Sequence, residues 1–308
     1  MNMKKLAAMG LAAAMVASMS TAAFAEDVTE AADGEFVYAE IPEVSDEWKE
    51  KYDAISGGRL DDIREKGVVT VASEPYFAPY EFIDTSKEGD EQYCGADVWF
   101  AKFIADRMGV DMQFVPLEFS AVLTSVVEGK NDLAISGLAY TPERAEACNM
   151  SMGYYNNPDN PGHGLLIREE DVDNIKGLDD LADKTLVFQA GSLQEALVDA
   201  SGVEVGEIKK VSSSNDAYMS VQEGKADAAA VYKESARLYA EANPGLVLVE
   251  DFTFDVPEEM VGNHVGIMKG EDELTEFVDT CIEELKELGL MQEWIDTASA
   301  QAASLGVD

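Results

Sequence analysis

Short strand-like runs alternate with amphipathic helical runs along most of the chain, and this alternation restricts the fold more than any other feature. Such spacing is typical of right-handed βαβ units, whose parallel strands are covered by helices. The first series has strand runs at 68–71, 111–116 and 132–136 and helical runs at 98–108 and 120–128. We therefore expect an α/β fold.

A second series of the same kind follows. Its strand runs lie at 186–188, 207–211 and 227–231, and its helical runs at 194–200 and 215–223. Two series predict two lobes, a division that suits a chain of 308 residues.

The chain must cross between the lobes twice, and two apolar runs, 164–168 and 265–269, are the candidates. The sequence thus predicts one lobe from 67–164 and 265–308 and another from 165–264. The two crossing strands are expected to lie side by side as a hinge. Ligands of open α/β sheets bind beyond the carboxyl ends of the strands, so a cleft between the lobes is the expected site.

The first 25 residues are typical of a secretory signal peptide. Lys4 and Lys5 precede an apolar stretch over 6–19, and Ala-Phe-Ala at 23–25 offers a cleavage site. The stretch is too short and too rich in alanine to indicate a transmembrane span. No cysteine lies near the cleavage site for a lipid anchor, so we expect a periplasmic or secreted protein.

Residues 26–66 form an acidic extension. Its first part, 26–42, is poor in large apolar residues and is expected to be a flexible tether. Ser45 has the features of a helix N-cap, and the helical pattern through Lys66 is interrupted at Gly57 and Gly58.

The chain is strongly acidic, with a formal charge of −39 that becomes −41 (−39 − 2) when Lys4 and Lys5 are removed. This balance argues against binding to nucleic acid or to anionic lipid. It favours a solvated, self-repelling monomer.

The cysteines are Cys94, Cys148 and Cys281, an odd number in an exported chain. One disulfide is conceivable because all three fall in the first lobe, but buried free thiols are the favoured state. Their spacing resembles no metal site, and no metal or cofactor is predicted.

The segment 132–144 carries the clearest functional signal. Thr141 suits an N-cap, Pro142 the first helical position, and Glu143 the positive end of the helix dipole. Arg144 opposes that dipole, which suggests that its planar fork of donors holds an anion. A surface ion pair with a nearby glutamate is the alternative.

This segment resembles the D-A-I-x-[SAG]-G-x-x-x-T-x-E-R signature of the polar amino acid-binding proteins of ABC importers, which form family 3 of the bacterial extracellular solute-binding proteins. The resemblance runs from about residue 67 to the end and includes four further motifs, at 68–82, 95–101, 189–192 and 285–294. It implies a two-lobed periplasmic-binding-protein fold (Venus flytrap, type II) with two hinge crossovers.

The resemblance also implies a carboxylate site. Arg144 matches the arginine that grips the α-carboxylate of the ligand. Ser136 and Gly137 match strand-end groups that face the same ligand, although a tight strand end would also explain them. Ser192 matches a hydroxyl at a helix N-terminus of the second lobe.

Two further positions match groups that contact the rest of the ligand. Phe77 matches an aromatic residue that packs over the ligand side chain, with a core position as the alternative. Glu74 matches an acid near the amine or distal end of the ligand, but coincidence is easy in a chain this acidic.

Two positions depart from the family pattern. Tyr232 stands where the family has an aspartate that accepts the α-ammonium, so either Glu74 or Glu234 supplies the charge or the ligand lacks an ordinary α-ammonium. Ala139 replaces a threonine or serine and removes a hydroxyl from the carboxylate site.

The resemblance implies a binding protein that closes on an amino acid or a related carboxylate and delivers it to a membrane permease. The alternative is an enzyme on the same scaffold, similar to cyclohexadienyl dehydratase, for which Glu74 and His163 are the candidate acid or base. A separate hypothesis is that His163 and His264, the two histidines, approach each other and alter lobe opening by protonation near pH 6. Ordinary structural histidines are the competing interpretation.

Overall fold

The computed structural model describes residues 36–157 and 161–306. The predicted signal peptide lies outside these residues. Two five-stranded sheets, each covered by helices, form the body of the molecule, and a two-stranded ribbon is attached to it. We call each large sheet with its helices a lobe.

The sheet of the first lobe has the strand order β4-β1-β5-β12-β6. Strand β1 pairs in parallel with β4 and β5, whereas β12 runs antiparallel to β5 and β6. The strands are β1 Val68–Ser73, β4 Asp111–Pro116, β5 Leu133–Ala134, β6 Asn149–Met150 and β12 Gly266–Ile267, and the ribbon pairs β2 Phe82–Ile83 with β3 Tyr93–Cys94.

The sheet of the second lobe has the order β11-β7-β10-β8-β9. Strands β8, β9 and β10 are parallel, and β7 runs antiparallel to β10 and β11. The strands are β7 His163–Arg168, β8 Thr185–Gln189, β9 Glu207–Val211, β10 Ala228–Tyr232 and β11 Leu246–Leu248.

Four helices, α3, α4, α6 and α7, fall on the runs predicted at 98–108, 120–128, 194–200 and 215–223, whereas α8 was not predicted. Their starts follow the capping residues: the Ser192 hydroxyl accepts a hydrogen bond from the Glu195 amide, so α6 begins at Leu193. The helices are α1 Asp46–Asp53, α2 Gly58–Lys66, α3 Ala96–Met108, α4 Phe119–Val127, α5 Pro142–Ala147, α6 Leu193–Ser201, α7 Ser214–Gln222, α8 Lys233–Ala242, α9 Asp272–Leu288 and α10 Leu290–Leu305. Within the described ranges, no helix is long and apolar enough to cross a membrane.

The expectation of two adjacent crossing strands is wrong. Strand β7 belongs to the second sheet and β12 to the first, because each continues the hydrogen bonding of its own lobe. The two connecting segments meet just outside these strands, where Tyr155 and Asn263 form an isolated antiparallel bridge. The Tyr154 amide also donates to the Asn263 carbonyl at 2.8 Å.

The flexible tether is also wrong for its described part, residues 36–42. Tyr38 stacks on Trp99 with ring centroids 4.8 Å apart, and its hydroxyl donates to Gln301 Oε1 at 2.8 Å. The indole nitrogen of Trp294 donates to the Ala39 carbonyl at 3.0 Å. Two aromatic residues thus anchor this segment to α3 and α10.

The cysteines Cys94, Cys148 and Cys281 are free and buried.

A buried ion pair holds the same region together. The Arg107 guanidinium makes two hydrogen bonds to the Glu284 carboxylate, at 2.7 and 2.9 Å, and a third to the Pro42 carbonyl. Tyr52 donates its hydroxyl to the same carboxylate at 2.6 Å. One carboxylate of α9 therefore contacts α1 through Tyr52 and α3 through Arg107, and Arg107 in turn contacts Pro42.

We expect Glu284→Ala to lower the free energy of unfolding by about 3 kcal/mol, because it removes the buried carboxylate partner of Arg107 and leaves that charge with the half-exposed Asp106 alone. Glu283→Ala is the matched control, since Glu283 is its exposed neighbour, and should change stability by less than about 0.5 kcal/mol. Urea unfolding followed by circular dichroism measures both. Equal effects of the two variants would contradict a structural role for this ion pair.

Candidate functional site

A cavity of about 470 Å³ lies between the two lobes. All the predicted site residues line it: Glu74, Phe77, Ser136, Gly137, Ala139, Arg144, Ser192 and Tyr232. The structure therefore brings together residues that span more than half of the chain, although their contact with a ligand stays a prediction. Groups at the cavity that the sequence reasoning missed include Tyr80, Phe119, Tyr155 and Gln189.

Arg144 is a buried cation that joins the two lobes. Thr141 accepts a hydrogen bond from the Arg144 amide, which fixes the first turn of α5. The guanidinium donates to the Ala139 carbonyl at 2.7 Å and to the Gly191 carbonyl of the second lobe at 2.8 Å. Its charged centre lies 5.7 Å from the centre of the Phe119 ring.

Within the described ranges, no carboxylate forms an ion pair with Arg144, so the alternative of a surface ion pair is wrong. Burial lowers the pKa of the guanidinium to about 10, which still leaves it charged at neutral pH. A buried charge that has only carbonyl partners gains from an added anion. Arg144 therefore has the chemistry of a carboxylate receptor.

Ser136 and Gly137 form a corner at the end of β5. The Ser136 hydroxyl accepts from the Glu74 amide at 3.0 Å and donates to Glu81 Oε1 at 2.8 Å. Gly137 has a φ of +53°, and a Cβ atom there would lie 3.1 Å from the Phe77 ring. Glycine is therefore required both by the backbone conformation and by the ring that packs against it.

Two buried carboxyl groups support this corner from behind. The Gly137 amide and the Tyr154 hydroxyl both donate to Asp97 Oδ2, at 2.8 and 2.7 Å. Asp97 and Glu81 are buried neighbours that interact electrostatically, and Glu81 Oε2 and Asp97 Oδ1 have no hydrogen-bond partner elsewhere in the described chain. Two adjacent buried carboxylates repel each other, and a single proton between the two unpartnered oxygens removes that repulsion, so we infer that this pair shares one proton.

Burial explains which of the two carboxyl groups is protonated. It raises the pKa of Glu81 well above its usual range and that of Asp97 to about 6. Asp97 also accepts hydrogen bonds from Tyr154 and Gly137, which favour its charged form. Sequence reasoning assigned no role to either residue, although Glu81 follows Tyr80 in the first family motif and Asp97 lies in the second.

Glu74 links the corner to the second lobe. Its Oε1 atom accepts a hydrogen bond from Gln189 Nε2 at 2.8 Å. The pKa of Glu74 is raised to about 7, and burial is the largest cause of this rise. The group is therefore close to half-protonated at neutral pH and is a weak source of negative charge.

Aromatic rings form a continuous wall of the cavity. Phe77 stacks on Tyr80 with centroids 5.4 Å apart and lies 6.2 Å from Tyr232. Tyr232 in turn lies 5.3 Å from His163, and Tyr80 lies 6.3 Å from Tyr155. Phe77 is only partly buried and also packs on the core, so its core and cavity roles coexist.

The predicted histidine switch is not supported by its surroundings. His163 Nδ1 lies 3.0 Å from Gln194 Nε2, and burial lowers the pKa of His163 to about 4. His264 Nδ1 donates to the Ser151 carbonyl at 2.8 Å, and burial lowers the pKa of His264 as well. Burial therefore disfavours protonation of both rings near pH 6, and each ring nitrogen has its own hydrogen-bonding neighbour, Gln194 for His163 and Ser151 for His264.

Comparison with known proteins identifies the family. The family model of the bacterial extracellular solute-binding proteins, family 3, matches residues 69–298. The chain belongs to this family. It has the two-lobed α/β fold expected from the resemblance, and solved family structures share that fold.

Several individual proteins are similar to this family 3 chain. The arginine-binding extracellular protein ArtP of Bacillus subtilis is 27% identical over 218 residues, covering 70% of this chain and 80% of ArtP. An amino acid ABC transporter substrate-binding protein, AbpA of Streptococcus pneumoniae, bound to L-arginine, is 30% identical with a TM-score of 0.70, covering 80% and 99% of the two chains. Most of these relatives are named as binding proteins.

One relative is an enzyme. The cyclohexadienyl dehydratase of Pseudomonas aeruginosa is 24% identical over 243 residues, covering 77% of this chain and 86% of the enzyme. The family scaffold therefore carries binding proteins and at least one catalyst.

The raised pKa values of Glu81, Asp97 and Glu74 predict a pH dependence of stability. Each folded-state pKa exceeds the ordinary value, so the folded chain binds protons that the unfolded chain releases. Their stabilising contribution is present below about pH 4 and is lost as the pH rises through about 6 to 7. These three carboxyl groups should therefore lower stability between pH 5 and pH 8, whereas the lowered pKa values of His163 and His264 act in the opposite direction below about pH 6.5.

Glu81→Gln tests whether the carboxyl pair, and not the net charge of the chain, causes this pH dependence of stability. The amide keeps a donor for Asp97 and an acceptor for Ser136, so the variant should lose less stability between pH 5 and pH 8, by on the order of 1–2 kcal/mol. Exposed Glu65→Gln is the control for net charge. Urea unfolding at both pH values measures the difference, and an identical pH dependence in both variants would contradict proton sharing.

Proposed function

We propose that this protein is the extracytoplasmic solute-binding component of an ABC importer. It captures an amino acid or an amino-acid-like carboxylate by lobe closure and delivers it to a membrane permease. The observation that carries this proposal is Arg144, a buried cation at the cavity wall whose only described hydrogen-bond acceptors are backbone carbonyls. Family membership and the named relatives support it.

Lobe closure follows from the contacts that cross the cavity. The guanidinium of Arg144 reaches Gly191, and Gln189 reaches Glu74. A ligand carboxylate neutralises the charge that closure buries, so closure becomes favourable with the ligand in place. We assign the moving units to the two sheets with their helices, with the predicted boundary at 164/165 moved to the connecting segments around Tyr155 and Asn263, so that all of β7 belongs to the second unit and residues 36–66 belong to the first.

The acidic surface suits a monomer that does not bind nucleic acid, and the proposed signal peptide places it outside the cytoplasm. Its partners in this proposal are the solute and the permease. No cofactor or metal has a role in it.

An enzymatic function is the second candidate, because one relative is a dehydratase. Glu74 favours it, since a buried carboxyl with a pKa of about 7 inside a cavity has the properties of a general acid. Incubation with cyclohexadienyl substrates followed by chromatography separates the two functions. Product formation that Glu74→Gln abolishes would establish the enzyme, and saturable binding without product would establish the binding protein.

Arg144→Ala tests the carboxylate receptor. A thermal-shift screen with about 1 mM of each amino acid, N-modified amino acid and simple organic acid first identifies a ligand, because bound ligand raises the melting temperature. The variant should bind that ligand at least about 100-fold more weakly in isothermal titration calorimetry, since it removes a charge-assisted pair of hydrogen bonds.

Arg237→Ala is the matched control, because Arg237 is an exposed arginine on α8 of the second lobe. It should leave affinity within about twofold of the original chain, as expected for an exposed charge that does not line the cavity. Circular dichroism confirms that both variants are folded. Undiminished affinity in folded Arg144→Ala would overturn the carboxylate assignment.

A further inference from the structure

If Arg144 binds the carboxylate of the ligand, the next question is which groups of the cavity bind the positively charged nitrogen of an amino acid. Among the described residues that line the cavity, Glu74 is the only acid. Its carboxyl is buried, already accepts from Gln189, and is half-protonated near neutral pH. The site is therefore poorly supplied with negative charge for a protonated amine.

The Tyr232 hydroxyl does not replace the missing charge, because a neutral phenol offers a hydrogen-bond acceptor but no formal negative charge. It donates to Glu234 Oε2 at 2.9 Å, and Glu234, the other acid considered for this role, does not line the described cavity. A primary ammonium has three N–H donors, and burying such a group without partners is costly. A free α-ammonium thus fits this wall of the cavity badly.

The same wall suits a different kind of cation. The rings of Phe77, Tyr80, Tyr155, Tyr232 and His163 follow one another at centroid spacings of 5.3–6.3 Å, and all line the cavity. Aromatic faces attract a cation without supplying hydrogen-bond acceptors, and they prefer a weakly hydrated cation such as a quaternary ammonium. His163 contributes no competing charge, because burial lowers its pKa to about 4.

We propose that the solute is a betaine-type zwitterion, a carboxylate whose nitrogen is fully alkylated. Arg144 holds the carboxylate, and the rings around Tyr232 hold the quaternary ammonium, which needs no acceptor. The cavity volume of about 470 Å³ accommodates a cyclic or a chain-extended betaine as well as the smallest member of the class. This inference rests on the proposed binding function and specifies the solute class of the same site.

The test compares matched pairs by isothermal titration calorimetry at pH 7.5. The pairs are glycine betaine with glycine, proline betaine with proline, and γ-butyrobetaine with 4-aminobutyrate, and L-arginine is added as a free amino acid. At least one betaine should bind 10-fold or more tightly than its unmethylated partner and than L-arginine.

Two variants of Tyr232 test the role of the ring. Tyr232→Phe keeps the aromatic face and should retain betaine affinity within about threefold, because the hydroxyl is not the binding group. Tyr232→Asp supplies a carboxylate acceptor and should weaken the betaine by at least 10-fold while strengthening L-arginine. Tyr232→Phe preserves the test if the aspartate variant does not fold.

The outcomes separate this inference from the proposed function. Tighter binding of L-arginine or another free amino acid than of every betaine overturns the betaine assignment and leaves the binding protein intact. A Tyr232→Phe variant that no longer binds the betaine also overturns it. Failure of all these carboxylates, and of every compound in the thermal-shift screen, overturns both.

Discussion

The shared proton between Glu81 and Asp97 is the constraint on which the first-lobe wall of the cavity depends. Glu81 accepts the Ser136 hydroxyl and Asp97 accepts the Gly137 amide, so the pair fixes both residues of the corner. The corner in turn holds the Glu74 amide and the Phe77 ring. Arg144 follows Gly137 by seven residues, and its own contacts with Thr141 and Ala139 hold it at the same wall of the cavity.

Much of the fold and the lining of the site could be predicted from the sequence because periodicity and capping are local properties. The Thr141 and Ser192 caps and the α/β alternation were readable for this reason. The placement of β7 and β12 in separate sheets was not, since strand pairing depends on distant residues. The anchoring of residues 36–42 was missed because one buried tyrosine outweighs an otherwise polar composition.

The electrostatic character of the site was the hardest part to predict. A sequence gives residue types, whereas the charge state of Glu74 or His163 depends on burial and on neighbours from other segments. The chain is extremely acidic as a whole, yet the described lining of its cavity contains one carboxyl group and one permanent cation. Surface charge and site charge are therefore independent properties of this molecule.

The anchored segment at residues 36–42 has a mechanical consequence. Its contacts are with α3 and α10 of the first lobe, through Trp99, Arg107 and Trp294. A force applied to the chain at residue 36 would therefore act on the first lobe through these contacts and not through the connecting segments that meet at Tyr155 and Asn263. A group attached before residue 36 would therefore move with the first lobe and would not restrict the motion of the second lobe.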